Sequence, residues 1–175
     1  MKNYSVIAVL FAAGMTVAAC SALAATGTAV LKGTAEGSTV SGKVRFEQTP
    51  EGLHVTADVQ GAAPGKHGFH IHEKGSCDDA GNAAGGHFNP DGSPHGLLSK
   101  DGSAHAHAGD MGNIEISADG TGHVETTLPN LTLKAEDKYG VSGRAVILHE
   151  KEDDFGQPTG NAGARIGCGV IQTNG

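Results

Sequence analysis

The sequence predicts an all-β domain, a β-sandwich or flattened barrel carrying two long working loops. Three observations predict it. Glycine supplies 28 of the 175 residues, aromatic residues make up only 4%, and Trp is absent. Several short runs alternate apolar and polar residues, as half-buried strands do. Turn signals separate those runs, and no stretch shows a sustained helical period. The length fits one domain and permits a real core. With 12 Lys and Arg against 19 Asp and Glu, the formal charge is −7. That balance argues against nucleic acid as a partner, because phosphate binding needs a basic face.

Taken in order, the chain opens on residues 1–5 with Lys2 as their one charge. An apolar run then extends from Val6 to Ala19, broken by Gly14 and Thr16. It is too short for a transmembrane helix and has the form of a secretory signal. Two cleavage readings compete. Ala22-Leu23-Ala24 before Ala25 fits small-x-small cleavage, with residues 1–24 as signal and 25–175 as the mature domain. Val17-Ala18-Ala19-Cys20 resembles a bacterial lipobox, which would remove residues 1–19 and leave a lipidated Cys20 as a membrane tether. Cys20 stands where the apolar run ends, which favours the lipobox slightly. Either cut removes Lys2 alone and makes the chain one charge more negative. The expected location is the periplasm, free or anchored through Cys20.

Export leaves Cys77 and Cys168 in an oxidising compartment as an even pair. A bridge between them is expected over two separate thiols. It would close a loop of roughly 90 residues and contribute about 4–5 kcal/mol on the chain-entropy view.

The strand signals follow. Residues 40–46 alternate, as do Leu53, Val55, Ala57 and Val59, with Pro50-Glu51-Gly52 as the hairpin signal between them. Residues 117–122 turn the chain between Ile114/Ile116 and Val124. Residues 144–150 form another apolar strand and 168–172 a last short one. Residues 73–104 and 150–164 lack periodicity. Irregular loops this long are uncommon in a compact domain unless they work.

Ten histidines are the outlier of the composition. In Gly68-Phe69-His70-Ile71-His72, strand alternation sends Phe69 and Ile71 to the core and His70 and His72 together to the other face. Two imidazoles at i, i+2 on a rigid strand can chelate a metal. His87 and His95 follow in the long loop, then His107-Ala108-Gly109-Asp110, and His149 at the end of a strand. Histidines with a carboxylate suit zinc and copper rather than calcium or magnesium. Asp153, four residues after His149, is placed to accept a ligand's other N–H.

These pieces closely resemble the copper, zinc superoxide dismutases. The matching stretches are residues 68–73 (GFHIHE), 85–90 (GGHFNP), His95, 107–113 (HAGDMGN), 143–154 (GRAVILHEKEDD) and 159–170 (TGNAGARIGCGV). With the strands between them they span most of the chain from about residue 28. The resemblance implies a flattened eight-stranded Greek-key barrel and one copper and one zinc per subunit. It implies copper ligands at His70, His72, His87 and His149, and zinc ligands at His87, His95, His107 and Asp110, with His87 bridging. It makes Asp153 the carboxylate that ties a copper ligand to a zinc ligand, and Arg165 the guanidinium that receives the anion. Thr159 narrows the channel rim, and Cys77–Cys168 is the family's disulfide. The implied reaction is dismutation of superoxide to dioxygen and hydrogen peroxide by copper redox cycling, protecting the cell envelope, with His87 on the proton path.

Bland readings hold for the other histidines: His67 is structural, His105 a solvated neighbour of His107, His54 and His123 surface residues. An acidic chain that attracts an anion must do so locally, through the metal and Arg165, with Lys151 as a further source. The segment after His149-Glu150-Lys151 is shorter than in the familiar animal enzymes, and Pro158 stands where those carry a lysine. Residues 78–84 look more like the animal loop than the long bacterial insertion. Those two groups pair through different faces, and a homodimer is the expectation here.

Overall fold

A computed structural model describes residues 24–174. The signal segment and Cys20 therefore lie outside the described residues. Nine strands make up the framework: β1 (Thr26–Gly33), β2 (Ser41–Thr49), β3 (Gly52–Gln60), β4 (Gly65–His72), β5 (Asp110–Ile116), β6 (Thr121–Leu128), β7 (Ala145–His149), β8 (Arg165–Val170) and β9 (Gln172–Asn174). Their order is β2-β3-β6-β5-β4-β7-β8-β1, with β1 returning to pair with β2 and close the barrel. β9 adds an extra strand to β1. The β3–β4 connection passes across β6 and β5, and the β6–β7 connection across β5 and β4. These two crossings make the antiparallel barrel a Greek key.

Period-two patterning explains the walls. In β2, Val44 and Phe46 are buried while Lys43, Arg45 and Glu47 are exposed; in β3, Val55, Ala57 and Val59 turn inward. Burying a side chain such as Phe46 or Leu53 is worth about 1.5–3 kcal/mol. The β2–β3 hairpin pairs from Ser41↔Gln60 to Thr49↔Gly52, around the Pro50-Glu51 turn.

Two details depart from the strand signals above. β1 was not among the strands read from the sequence, although Ala29 and Leu31 alternate with exposed neighbours. Residues 168–172, expected as one strand, divide at Ile171: β8 runs along β7, whereas β9 crosses to β1. The sheet also parts locally. β5 and β6 share one register pair, Ile116↔Gly122, and the short helix α1 (Leu98–Asp101) packs against both strands with Leu98 buried.

The two loops without periodicity do remain irregular, apart from a 3-10 turn at Asn82–Ala84 and α1. They cover the outer face of β4. His70 and His72 therefore leave the core side as expected but are as buried as Phe69 and Ile71. The pairing of β4 with β5 shifts between Gly68 and His70, and that of β7 with β8 between Leu148 and His149. Such bulges re-aim side chains. Gly68 is needed at the first of them, because a Cβ there would come within 2.8 Å of Ala162 Cβ and 3.0 Å of His70 Cε1.

Candidate metal centre

The rigid strands deliver His70 and His72 from β4, His149 from the end of β7 and Asp110 from the start of β5. The loops deliver the rest. His87 is carried beside β4 by its bridge to His72 and by the Phe88 N–H donating to Ile71 O at 2.9 Å. His107 is set by its own N–H donating to Asp110 Oδ2 at 2.9 Å. Asp153 is held by a reciprocal pair: its N–H donates to Asn113 Oδ1 at 2.8 Å, and Asn113 Nδ2 donates to its carbonyl at 2.9 Å. The Asn113 clamp was missed in the sequence, since a lone amide in a motif has no distinguishing signal.

Two four-residue donor sets form, and His70, His95 and Asp153 make a third, smaller grouping between them. The donor atoms of His70, His72, His87 and His149 all lie within 4.8 Å of one another, and so do those of His87, His95, His107 and Asp110. All seven residues are buried. His87 belongs to both sets. Its Nδ1 faces Asp110 Oδ1 at 2.8 Å and His107 Nδ1 at 3.4 Å, which leaves Nε2 for the first set.

Hydrogen-bond partners fix the tautomers and test whether a cation fits. His72 Nδ1 donates to Gly85 O at 2.9 Å and His149 Nδ1 to Gly163 O at 3.3 Å. Their Nε2 atoms then carry lone pairs, yet face each other at 3.3 Å. A proton does not resolve this at neutral pH. Burial pushes His72 down to about 2 and His149 down to about 3, and neighbouring positive charge adds to both. His70 Nε2 donates to Asp153 Oδ2 at 2.8 Å, and its Nδ1 is buried with no hydrogen-bond partner. Buried polar atoms are almost always paired, so an orphaned one points to a missing ligand. The Nε2 atoms of His72 and His149 and the partnerless Nδ1 of His70 thus converge where an electrophile belongs.

The second set gives the same answer. His95 Nε2 donates to Asp153, 2.9 Å from Oδ1 and 3.0 Å from Oδ2. Its Nδ1 lies 2.8 Å from Asp110 Oδ2 but makes no hydrogen bond. So short a contact between a ring nitrogen and a carboxylate oxygen needs a cation between them, either a proton on the ring or a metal ion. Burial alone would raise Asp110, but the His107, His87 and His95 rings packed against its carboxylate hold it far below the usual range. Asp153 is held low in the same way, by His70 and His95 against burial. One set is four imidazoles and the other three imidazoles with a carboxylate. Nitrogen-rich donors of this kind suit copper and zinc.

A cleft of about 550 Å³ opens over the first set, lined by His72, His87, His149, Thr159, Asn161 and Arg165 among others. Arg165 Nη1 donates to Gly81 O at 2.5 Å and Nη2 to Gly85 O at 2.6 Å, so the loop after β4 fixes the guanidinium. Cys77 and Cys168 form a disulfide that ties this loop to β8, the strand that Arg165 begins. Lys151 does not line the cleft, and its side chain is exposed.

The other histidines fall where the bland readings put them. His67 is buried with Nδ1 2.8 Å from His149 O and Nε2 2.8 Å from Ala63 O. His105 is exposed and belongs to neither donor set. His54 lies 3.2 Å from Glu125 and His123 2.8 Å from Asp58, on the outer face of β3 and β6. A larger concavity of about 1020 Å³ lies over outer-face residues such as Val30, Lys43, Asp58 and His123, and none of the seven donor residues lines it.

Comparison with known proteins agrees with this geometry. Residues 40–171 match the family model described as "Copper/zinc superoxide dismutase (SODC)". A "Superoxide dismutase [Cu-Zn]" of Onchocerca volvulus is 40% identical over 147 residues, covering 77% of this chain and 90% of the relative. An "Extracellular superoxide dismutase [Cu-Zn]" of Drosophila melanogaster is 40% identical over 141 residues, 75% of each chain. Among solved structures, one titled "Crystal Structure Analysis of the clock protein EA4" superposes with a TM-score of 0.75 at 34% identity, covering 93% of this chain and 99% of the other. A barrel of this topology, with seven buried donors in two sets sharing His87, belongs to the copper/zinc superoxide dismutase family.

Proposed function

We propose that the chain is an exported superoxide dismutase with copper held by His70, His72, His87 and His149 and zinc held by His87, His95, His107 and Asp110. The observation that carries this reading is the convergence of the partnerless His70 Nδ1 with the mutually facing Nε2 atoms of His72 and His149, beneath a cleft whose wall carries a fixed guanidinium. Copper supplies the one-electron exchange that takes one superoxide to dioxygen and, with two protons, another to hydrogen peroxide, while zinc adds fixed charge without redox change.

The chain's own residues do the rest. Arg165 keeps further N–H donors after its two carbonyl bonds and can bind a diatomic anion as a rigid fork. The cleft admits so small an anion, and Thr159 and Asn161 form part of its rim. His87 Nε2 lies on the cleft side of the shared ring and is the site where a proton for the product can be held and handed on. Asp153 accepts from a ring in each set and fixes both orientations.

Export is supported by the disulfide and by relatives named extracellular in Drosophila melanogaster and Caenorhabditis elegans. Within that reading, we place the domain at residues 25–175, in the periplasm or tethered through Cys20, acting on superoxide as a homodimer to protect the cell envelope. Cys20→Ala should move a tethered protein to the soluble fraction, and sedimentation should give twice the chain mass. The central test is superoxide removal by the copper- and zinc-loaded chain against a zinc-only sample and a His149→Ala variant. Fast removal by the first alone is expected; equal rates in all three would overturn the reading.

A further inference from the structure

The seven metal-ligating residues are not equally supported by backbone. His70, His72, His149 and Asp110 sit on strands. His87 is bonded alongside β4, and His107 is tied to Asp110 three residues on. His95 lies in the stretch between the 3-10 turn and α1, which has no regular structure. Its position depends on the adjacent Gly96 N–H, which donates to Asp110 Oδ2 at 3.0 Å, and on the shortened segment after β7.

That segment grips His95 from several sides. Asp153 takes its ring N–H. Phe155, with φ 59°, stacks on the ring at 6.3 Å and an interplanar angle of 21°. Gly160 passes so close that a Cβ there would meet Asp153 Oδ1 and come within 2.7 Å of His95 Nε2. Gln157 grips the backbone itself. The His95 N–H donates to Gln157 Oε1 at 3.0 Å, and Gln157 Nε2 donates to His95 O at 2.9 Å. A primary amide thus pairs with both polar groups of one residue, as a neighbouring strand would, across 62 positions of sequence.

We propose that Gln157 is a positioning residue for the zinc pocket, and that its amide clamp on the His95 backbone sets how long that pocket retains its metal. The inference rests on the assignment of His95 to a zinc site. A chelated metal leaves one ligand at a time, and the ligand on the least supported backbone detaches first. Here that ligand is His95, and Gln157 supplies the backbone pairing that the local chain lacks. Gln157 is itself exposed, so its replacement leaves the core untouched.

The experiment follows zinc and copper release from the fully loaded protein into separate chelators, for wild type, Gln157→Ala, Gln157→Met and Gln157→Glu. Ala and Met remove both polar groups, and Met keeps the length. Glu retains the acceptor for the His95 N–H. Zinc release should accelerate on the order of tenfold in Ala and Met and by less in Glu, as is usual for partners that orient ligands. Copper release should stay within about twofold, and the visible spectrum of cobalt placed in the zinc pocket should shift in Ala and Met alone, because only ligand geometry near His95 has changed. Unchanged zinc release, or equal acceleration of both metals, would overturn the clamp. A wild-type chain that holds no zinc would overturn the pocket assignment as well.

Discussion

Asp153 accepts a hydrogen bond from the Nε2 of both His70 and His95 and so decides which nitrogen of each ring is free for a metal. A carboxylate can accept from both rings at once, whereas an amide offers one acceptor oxygen and two donors. In Asp153→Asn one ring must face an N–H. It satisfies that donor by moving its own proton to Nδ1, where the lone pair is needed. His70 is fixed within β4, so the ring that yields should be His95. The variant should lose zinc affinity by about 10–100-fold while copper is retained better, measured as metal content after dialysis against graded chelator. Arg165 makes a different case, since it carries charge toward the cleft rather than orienting a ligand. Lys keeps the charge but cannot span the Gly81 and Gly85 carbonyls with a planar fork. Arg165→Lys should lower kcat/KM for superoxide by about tenfold with metal content unchanged, and Arg165→Ala by more, because local focusing of an anion raises association rates by 10-fold or more.

At the scale of elements, the disulfide joins the loop after β4 to β8 across a sequence separation of 91. The same loop presents the two carbonyls that hold Arg165. Cys77→Ser with Cys168→Ser should therefore cost about 4–5 kcal/mol of folding stability, read from denaturant midpoints, and should also lower kcat/KM by loosening the guanidinium. The bridge was legible in advance because an expected export and an even pair left few alternatives. The strand faces were legible too: alternation at Phe69, His70, Ile71 and His72 places each side chain correctly without any knowledge of the fold. What alternation cannot show is a loop lying on the far face, so the burial of His70 and His72 was not legible in β4 itself. The clamps by Asn113 and Gln157 were hidden for a related reason. Each pairs an amide with backbone far away in sequence, and no local pattern encodes such a partner. The break at Ile171 escaped because a three-residue strand such as β9 gains its identity from β1, the neighbour it pairs with; β1 itself is eight residues long and does carry an alternation, at Ala29 and Leu31.

Over the whole molecule, the buried histidines and carboxylates give the metal-free chain a distinctive dependence on pH. Burial lowers His72, His87 and His149 from an ordinary 6.5 to about 2, 4 and 3 respectively. The unfolded chain takes up those protons first, so stability present above pH 6.5 is lost as pH falls below it. Asp110 and Asp153, held low by their histidine partners, add a further loss at more acid pH, below their ordinary 3.8. His95 behaves oppositely. Burial disfavours its charge, but hydrogen bonds to Asp110 and Asp153 outweigh this and raise it to about 9. Its contribution is full below pH 6.5 and disappears as pH rises toward 9. The metal-free protein should therefore be most stable near pH 6.5, with a steep acid limb from three rings and a shallow alkaline limb from one. Thermal unfolding midpoints between pH 4 and 10 would measure both limbs. Zinc changes only one of them decisively. A ligand that binds the folded state stabilises it by mass action. It also requires a lone pair on His95, so that ring gives up the proton whose loss produced the alkaline limb. The zinc-loaded protein should then have a higher midpoint and no decline between pH 6.5 and 9. An alkaline limb that persists with zinc bound would mean that His95 keeps its proton and is not a ligand.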